Sequence, residues 1–432
     1  MNYEEARVYL DETSKYGSVL GLENMKALLD RLDNPQKSLK FIHISGTNGK
    51  GTVLAYLSTI LCKAGYRTGR YISPTLFSYR ERIQVNEEII EKEALARHVT
   101  AIAAAVADMK EKKAGTPTAF EIETALAFLY FKEKNCDIVV LETGLGGALD
   151  ATNIIQTTQL EVIAPISMDH TDVLGKTLKE IAMQKAGIIK PHTTVVTAVQ
   201  KEEARQVLQK VCQEKESCFC EVEEKEISDV HYGYIRQSFS YKNWKNVEIS
   251  LAGEFQIQNG ALALEAVNQL RRIGFSLSDE AVYAGMKEAK WVGRFTVMSQ
   301  NPLIILDGAH NPHAAEALRK SLELYFKGKK LYYVFGVFQD KDYKKIIELT
   351  APLAEHIITV ETPNNPRALP AEELKKQVEK VNASVETGKS IEAAVEKNLR
   401  NMGADDVLVI FGSLSFLGIA AKAIQDGGRK NG

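Results

Sequence analysis

The stretch Ile44-Ser45-Gly46-Thr47-Asn48-Gly49-Lys50-Gly51-Thr52 gathers three glycines, one lysine and two threonines in nine residues, a chemistry suited to holding a phosphate chain. Gly46, Gly49 and Gly51 let the backbone turn so that several N–H groups point at one anion beside a helix N-terminus. Lys50 brings charge to the outer phosphates, and Thr52 brings a hydroxyl for magnesium. The usual phosphate loop has glycine where Ile44 stands and a hydroxyl directly after the lysine, whereas here Gly51 precedes Thr52. The competing reading is a glycine turn that only caps a helix.

Further polar groups follow apolar runs, the place where ligands bind at the edge of an open parallel sheet. Glu142 closes Asp137-Ile138-Val139-Val140-Leu141 and precedes the flexible Thr143-Gly144-Leu145-Gly146-Gly147. Beside a phosphate loop such a carboxylate reads as a magnesium ligand; elsewhere it would cap a loop. His170, in Ser167-Met168-Asp169-His170-Thr171-Asp172, reads as a ligand or a loop hydrogen-bonder. Ser73 before Pro74 reads as a turn residue. Lys185, on a helix over 179–187, reads as a surface or snorkelling lysine. In Leu303-Ile304-Ile305-Leu306-Asp307-Gly308-Ala309-His310-Asn311-Pro312 a buried strand delivers Asp307 and His310 to its carboxyl end, and Pro312 opens a helix. A cleft shared by the two polar edges is favoured over chemistry confined to the second.

Phe41, Ile42 and Ile44 supply the strand before the loop, and Val53, Leu54, Leu57, Ile60 and Leu61 recur at helical spacing until Gly65. Apolar runs alternate with helical patterns along most of the chain, which predicts an α/β fold with mainly parallel sheets. Strands are expected at 39–44, 137–141, 160–166 and 193–199 in a large phosphate-loop ATPase domain. Others are expected at 303–306, 331–335, 356–360 and 407–411 in a smaller, doubly wound, Rossmann-like domain. Residues 217–251 are polar and predict short antiparallel strands, followed by helices at 256–272 and 280–288. The turn at Trp291-Val292-Gly293-Arg294-Phe295 sets domains of 1–293 and 294–432, since 432 residues exceed one ordinary core.

Lysine and arginine number 54 against 56 acidic residues, a net charge of −2, which excludes bulk attraction to nucleic acid or an anionic membrane. Met1-Asn2-Tyr3-Glu4-Glu5 has no basic and apolar leader, and no run is long enough to span a bilayer, so a cytoplasmic location is expected. Five cysteines without paired CxxC spacing argue against a disulfide frame or structural zinc. Cys62 and Cys136 read as core residues, and Cys218 and Cys220 as one face of an edge strand.

Together these stretches resemble the folylpolyglutamate synthase and dihydrofolate synthase family of the Mur ligase superfamily, from about residue 16 to the end. That family's loop has the form Gly-Thr-Asn-Gly-Lys-Gly-Ser, which accounts for the unusual spacing, and Thr52 keeps the hydroxyl. Other matching segments are Tyr71 to Pro74, Glu81-Arg82-Ile83, Pro117 to Glu121, Glu142 to Asn153, Asp169 to Gly175, Lys185 to Lys190, Trp291 to Phe295 and Asp307 to Pro312. Ala148, Phe255, Val292 and Ser415 stand where many members carry arginine, histidine, proline and an aromatic residue.

The resemblance implies that Thr52, Ser73 and Glu142 surround one magnesium ion and that His170 and a carbamylated Lys185 serve a second. It places ATP on Gly46, Thr47, Asn48, Gly49, Lys50, Gly51 and Thr52, with Asn259, Arg294 and Asp307. It puts Phe120, Glu121 and Asp150 at the pterin or folate pocket, and Arg82, His310 and Ser413 on the glutamate side. Lys50, His170, Lys185, Asp307 and His310 are the implied catalytic set, and a monovalent cation is an implied cofactor. The implied reaction joins L-glutamate to folate or dihydropteroate through an acyl phosphate, in a monomer. A Mur-type peptidoglycan ligase, a folylpolyglutamate synthase without the second activity, a nucleotide switch and a silent binding protein are the alternatives.

Overall fold

The computed structural model describes residues 1–13 and 21–430. Residues 16–20, where the resemblance begins, lie outside the described residues. The chain forms two compact units. One comprises Met1–Ser228, Ser240–Val247 and Gln258–Ala289; the other comprises Asp229–Phe239, Glu248–Ile257 and Lys290–Gly432.

The first unit is built on eight strands: β1 (Phe41–Ser45), β2 (Thr68–Tyr71), β3 (Ile83–Val85), β4 (Glu88–Ile89), β5 (Ile138–Glu142), β6 (Thr158–Ile163), β7 (Thr194–Thr197) and β8 (Cys218–Glu221). Their order is β4-β3-β2-β5-β1-β6-β7-β8. β1 runs parallel to both neighbours, β5 and β6. The loops after Ser45, Glu142 and Ile163 therefore leave the same edge of the sheet. Every residue of β1 and β5 is buried, as strands covered on both faces require. His43 tolerates this position because its Nε2 meets the Thr152 hydroxyl at 2.9 Å. Burial and nearby Lys190 push its pKa down to about 3, so the ring stays neutral.

Two parts of this sheet depart from the sequence expectation. Cys218–Glu221 does not begin an antiparallel set; it pairs parallel with β7 and ends the large sheet. Its Cys218 is exposed, while Cys136 is buried and Cys62 only partly so. The sequences of β2, TGRY, and β3, IQV, contain no continuous apolar run, which is why they were not anticipated. β9 (Ile227–His231), β10 (Gln237–Tyr241) and β11 (Trp244–Ile249) form a separate three-stranded sheet whose residues are divided between the two units.

The second unit holds a six-stranded sheet in the order β12-β13-β17-β14-β15-β16: β12 (Thr296–Gln300), β13 (Leu303–Asp307), β14 (Leu331–Phe335), β15 (His356–Thr359), β16 (Val385–Thr387) and β17 (Val407–Phe411). All pairings are parallel except β12 with β13. The anticipated runs at β13, β14 and β17 are buried throughout. Phe411 sits edge-on to Tyr333, with ring centroids 5.1 Å apart, and stacked on Phe335 at 4.8 Å. Among the described residues no helix is long and apolar enough to cross a membrane.

The helix Lys50–Lys63 follows the phosphate loop and is buried without a break from Gly51 to Leu61. It cannot face water on any side, so another element must close over it. The helix Asp279–Glu288 does this at Gly285, where an added Cβ would stand 2.6 Å from the Ile60 Cα and 2.7 Å from its nitrogen. Because backbone cannot yield as a side chain does, Gly285→Val is expected to destabilise the protein by about 2–3 kcal/mol, as overpacking does. Urea denaturation measures this, and an unchanged midpoint would show that the two helices separate freely.

Candidate active site

The phosphate loop owes its path to two glycines. Gly46 has φ 146° and Gly49 has φ 89°. A Cβ at Gly46 would lie 2.7 Å from the Ala164 side chain, and one at Gly49 would lie 2.5 Å from Asn259 Oδ1. The loop is laced to the segment after β6: Thr47 N–H donates to the Pro165 carbonyl at 2.9 Å. The Thr47 hydroxyl donates to the Ser167 carbonyl and accepts its N–H, both at 3.0 Å. Asn259 lies against the loop at Gly49.

Glu142, Ser73, Lys50 and Lys185 converge there too. The Lys50 ammonium lies 3.8 Å from Glu142 Oε1, and the Ser73 N–H is 3.5 Å from Oε2. Thr52, in the first turn of the loop's helix, is almost wholly buried. Lys185 is no surface or snorkelling lysine: it is only 4% exposed. Its Nζ donates to the Gly46 carbonyl at 2.6 Å. Burial, reinforced by Lys50, pushes its pKa down to about 7. The helix Leu178–Ala186 carries Lys185 on its buried side with Ile181, Ala182 and Ala186.

His170 follows β6 on the same sheet edge. It has φ 50°, a 40% exposed side chain, and its Nε2 is 4.0 Å from Asp169 Oδ1. The electrostatic link from this loop to Lys185 runs through Asp169, a residue within the matched segment whose own role no sequence signal distinguished.

The residues assigned to the folate side are more occupied than their chemistry suggests. The Phe120 ring lies on the backbone of Gly144, where an added Cβ would be 2.5 Å from it. Glu121 caps its own helix: Oε2 accepts the Thr118 N–H at 2.7 Å and hydroxyl at 2.9 Å. The spacing Thr118-x-x-Glu121 is a capping-box signature that the sequence already contained. Asp150 accepts from Leu145 N–H at 2.8 Å, Thr152 N–H at 3.0 Å and the Thr152 hydroxyl at 2.5 Å, so it fastens the loop after β5. Arg82 pairs with Glu123 at 3.1 Å, a partner with no signal in the sequence.

In the second unit Asp307 ends β13 and is fully engaged by backbone: Oδ2 accepts the Phe295 N–H and Oδ1 the Ala309 N–H, each at 2.7 Å. Burial raises its pKa, against the pull of Arg294. His310 Nδ1 lies 2.7 Å from the Gly308 carbonyl. A carbonyl only accepts, so Nδ1 carries the hydrogen. Ser413, just past β17, accepts the Ser415 N–H at 3.3 Å. β13 and β17 are paired through Asp307 and Phe411, which puts all three at one edge.

Comparison with known proteins gives these two sets of residues a context. Residues 44–267 match the Mur ligase middle domain and residues 293–414 the Mur ligase glutamate ligase domain, so the class is that of the Mur ligases. The dihydrofolate synthase/folylpolyglutamate synthase of Bacillus subtilis is 34% identical over 436 residues, spanning 98% of this chain and 99% of its own. The crystal structure of folylpolyglutamate synthase from Thermotoga maritima is 35% identical with a TM-score of 0.83, covering 98% and 97% of the two chains. That of E. coli FolC in complex with DHPP and ADP is 29% identical with a TM-score of 0.87, covering 99% and 98%. The chain belongs to the dihydrofolate synthase/folylpolyglutamate synthase family.

The three hydrogen bonds given above for the Asp150 carboxylate all come from donors. Asp150→Asn would turn an amide N–H₂ toward one of them, at an expected cost of about 1–3 kcal/mol for a buried unsatisfied group. Urea denaturation and amide exchange at Leu145 read this loss; protection equal to the parent's would mean that the carboxylate does not hold the loop.

Proposed function

We propose that this protein is an ATP-dependent ligase that adds L-glutamate to folates and also to dihydropteroate. The observation that carries this reading is the convergence of the phosphate loop, Lys50, Glu142 and buried Lys185 at one sheet edge. The relatives' full-length similarity supports it. The Bacillus subtilis relative's name, a dihydrofolate synthase as well as a folylpolyglutamate synthase, favours dihydropteroate as an acceptor beside folate.

In the proposed reaction a carboxylate oxygen of the acceptor attacks the γ-phosphorus of ATP, and the bond to the β-phosphate oxygen breaks to release ADP. The glutamate amine then attacks the acyl carbon; phosphate departs and the amine loses a proton. Lys50 neutralises charge on the transferring group while loop amides fix its position. Asn259 and Arg294 hold the nucleotide. His310 stands near the incoming glutamate. Phe120, Glu121 and Asp150 shape the acceptor pocket, with Arg82 and Ser413 on the glutamate side.

The hydroxyls of Thr52 and Ser73 and the carboxylate of Glu142 form a hard oxygen set that suits magnesium, which binds through few protein carboxylates and retains water and phosphate oxygens. Magnesium there would supply charge neutralisation for the phosphates. His170 and Lys185 would serve a second ion. At a pKa of about 7 much of Lys185 is the neutral amine near neutral pH, and that amine can add to the carbon of CO2 and lose a proton to give a carbamate. The reading includes a monovalent cation and a cytoplasmic monomer.

ADP release with ATP, magnesium and glutamate is expected with both dihydropteroate and tetrahydrofolate, and to fall at least about a hundredfold in Lys50→Ala, the scale for losing one preorganised charge-stabilising group. Turnover with one acceptor would make the enzyme monofunctional; acceptor-independent release would remove the ligase reading. For Lys185, carbon-13 NMR in labelled bicarbonate should show a carbamate resonance that is missing from Lys185→Ala. Identical spectra would rule the modification out.

A further inference from the structure

Arg294 stands between two residues with left-handed backbone, Gly293 at φ 87° and Phe295 at φ 44°. Glycine adopts this region freely, but a bulky aromatic side chain is rarely found there and is strained when it is. Such strain persists only where the surroundings impose it, and three sets of contacts do so at Phe295.

The first is its N–H, which donates to Asp307 Oδ2 at 2.7 Å. The second is a stitch between the two adjoining turns: Gly308 N–H donates to the Gly293 carbonyl at 2.8 Å, and Gly293 N–H donates to Thr296 Oγ1 at 3.0 Å. The third is the ring itself, 1% exposed. Its centroid lies 5.5 Å from that of Tyr325 and 6.3 Å from that of Phe326, nearly parallel to the latter. Tyr234 closes the group at 5.4 Å from Phe326, and the Tyr325 hydroxyl is tied to Gln237 Oε1 at 2.8 Å.

The consequence falls on Arg294. Its Nη1 bonds the Gly293 carbonyl at 3.2 Å and lies where a Cβ on Gly308 would be, 2.1 Å away. The guanidinium therefore lies across the bare Cα of Gly308, immediately beside Asp307. Extended backbone at Phe295 would carry Arg294 off this surface. We propose that Phe295 is a positioning residue for the nucleotide: its ring, bolted into the Tyr234, Tyr325 and Phe326 cluster, holds the left-handed turn that aims Arg294. This rests on the reading that Arg294 contacts the nucleotide.

The test is the Michaelis constant for ATP and the affinity for ADP by calorimetry, measured for Arg294→Ala, Phe295→Ala, Phe295→Leu and the double variant Arg294→Ala with Phe295→Leu. Phe295→Leu keeps apolar bulk, so it remains informative if Phe295→Ala fails to fold. Phe295→Leu is expected to raise the constant for ATP on the order of tenfold, as a displaced binding group does, with little change in that for glutamate. In the Arg294→Ala background the same substitution should add nothing, because residues that act as a unit are non-additive. If Arg294→Ala leaves nucleotide binding unchanged, the assignment of Arg294 fails and the proposal falls with it. If Arg294→Ala weakens binding but Phe295→Leu only lowers the melting temperature, or its effect persists undiminished in the double variant, Arg294 keeps its role and Phe295 is structural.

Discussion

One carbonyl oxygen organises the first unit. The Gly46 oxygen accepts from Lys185 at 2.6 Å and from Lys50 at 3.2 Å. Burial disfavours the charged form of the deeper lysine, Lys185, and the neighbouring charge of Lys50 adds to that effect. The depressed pKa of Lys185 comes first from its burial against the turn at Gly46 and second from Lys50. That turn depends in its own way on Ala164, whose side chain and carbonyl leave no room for a Cβ there. Phosphate loop, lysine pair and the strand-end segment at Pro165 form one interlocked object.

The second unit solves the matching problem with a carboxylate. Asp307 spends both oxygens on backbone N–H groups, so its first duty is to tie the turn before β12 to the turn after β13. Arg294 and His310 flank that tie, each bonded to a glycine carbonyl, Gly293 and Gly308. In both units a polar group at a strand end fixes the backbone from which its neighbours reach outward.

Much of this was legible because it is contiguous. The phosphate loop puts its glycines and lysine side by side, and β1, β5, β13, β14 and β17 are apolar runs that only a covered parallel sheet explains. What stayed hidden required directions or distant partners. A sequence displays the carboxylate of Asp150 but not that it folds back onto the backbone of its own loop. It displays Lys185 on an amphipathic helix but not that the helix turns it inward. Glu123 opposite Arg82 lies on a separate element, and β2 and β3 gain their places from pairing rather than from their own composition. The expected domain limits, 1–293 and 294–432, assumed that each domain is one stretch of chain; the compact units are assembled from three stretches each.

That interleaving has a consequence for how the protein is made. The second unit includes Asp229–Phe239 and Glu248–Ile257, yet most of it is encoded after Lys290. Chains emerge from the ribosome at about 5–20 residues per second, so these early pieces wait several seconds for the strands they belong with. Gln237 is among them, and its bond to Tyr325 cannot form until the later helix has been synthesised. Neither unit is therefore a cassette that a single cut would release, and the last-made part of the chain completes a structure whose first pieces were laid down well before it.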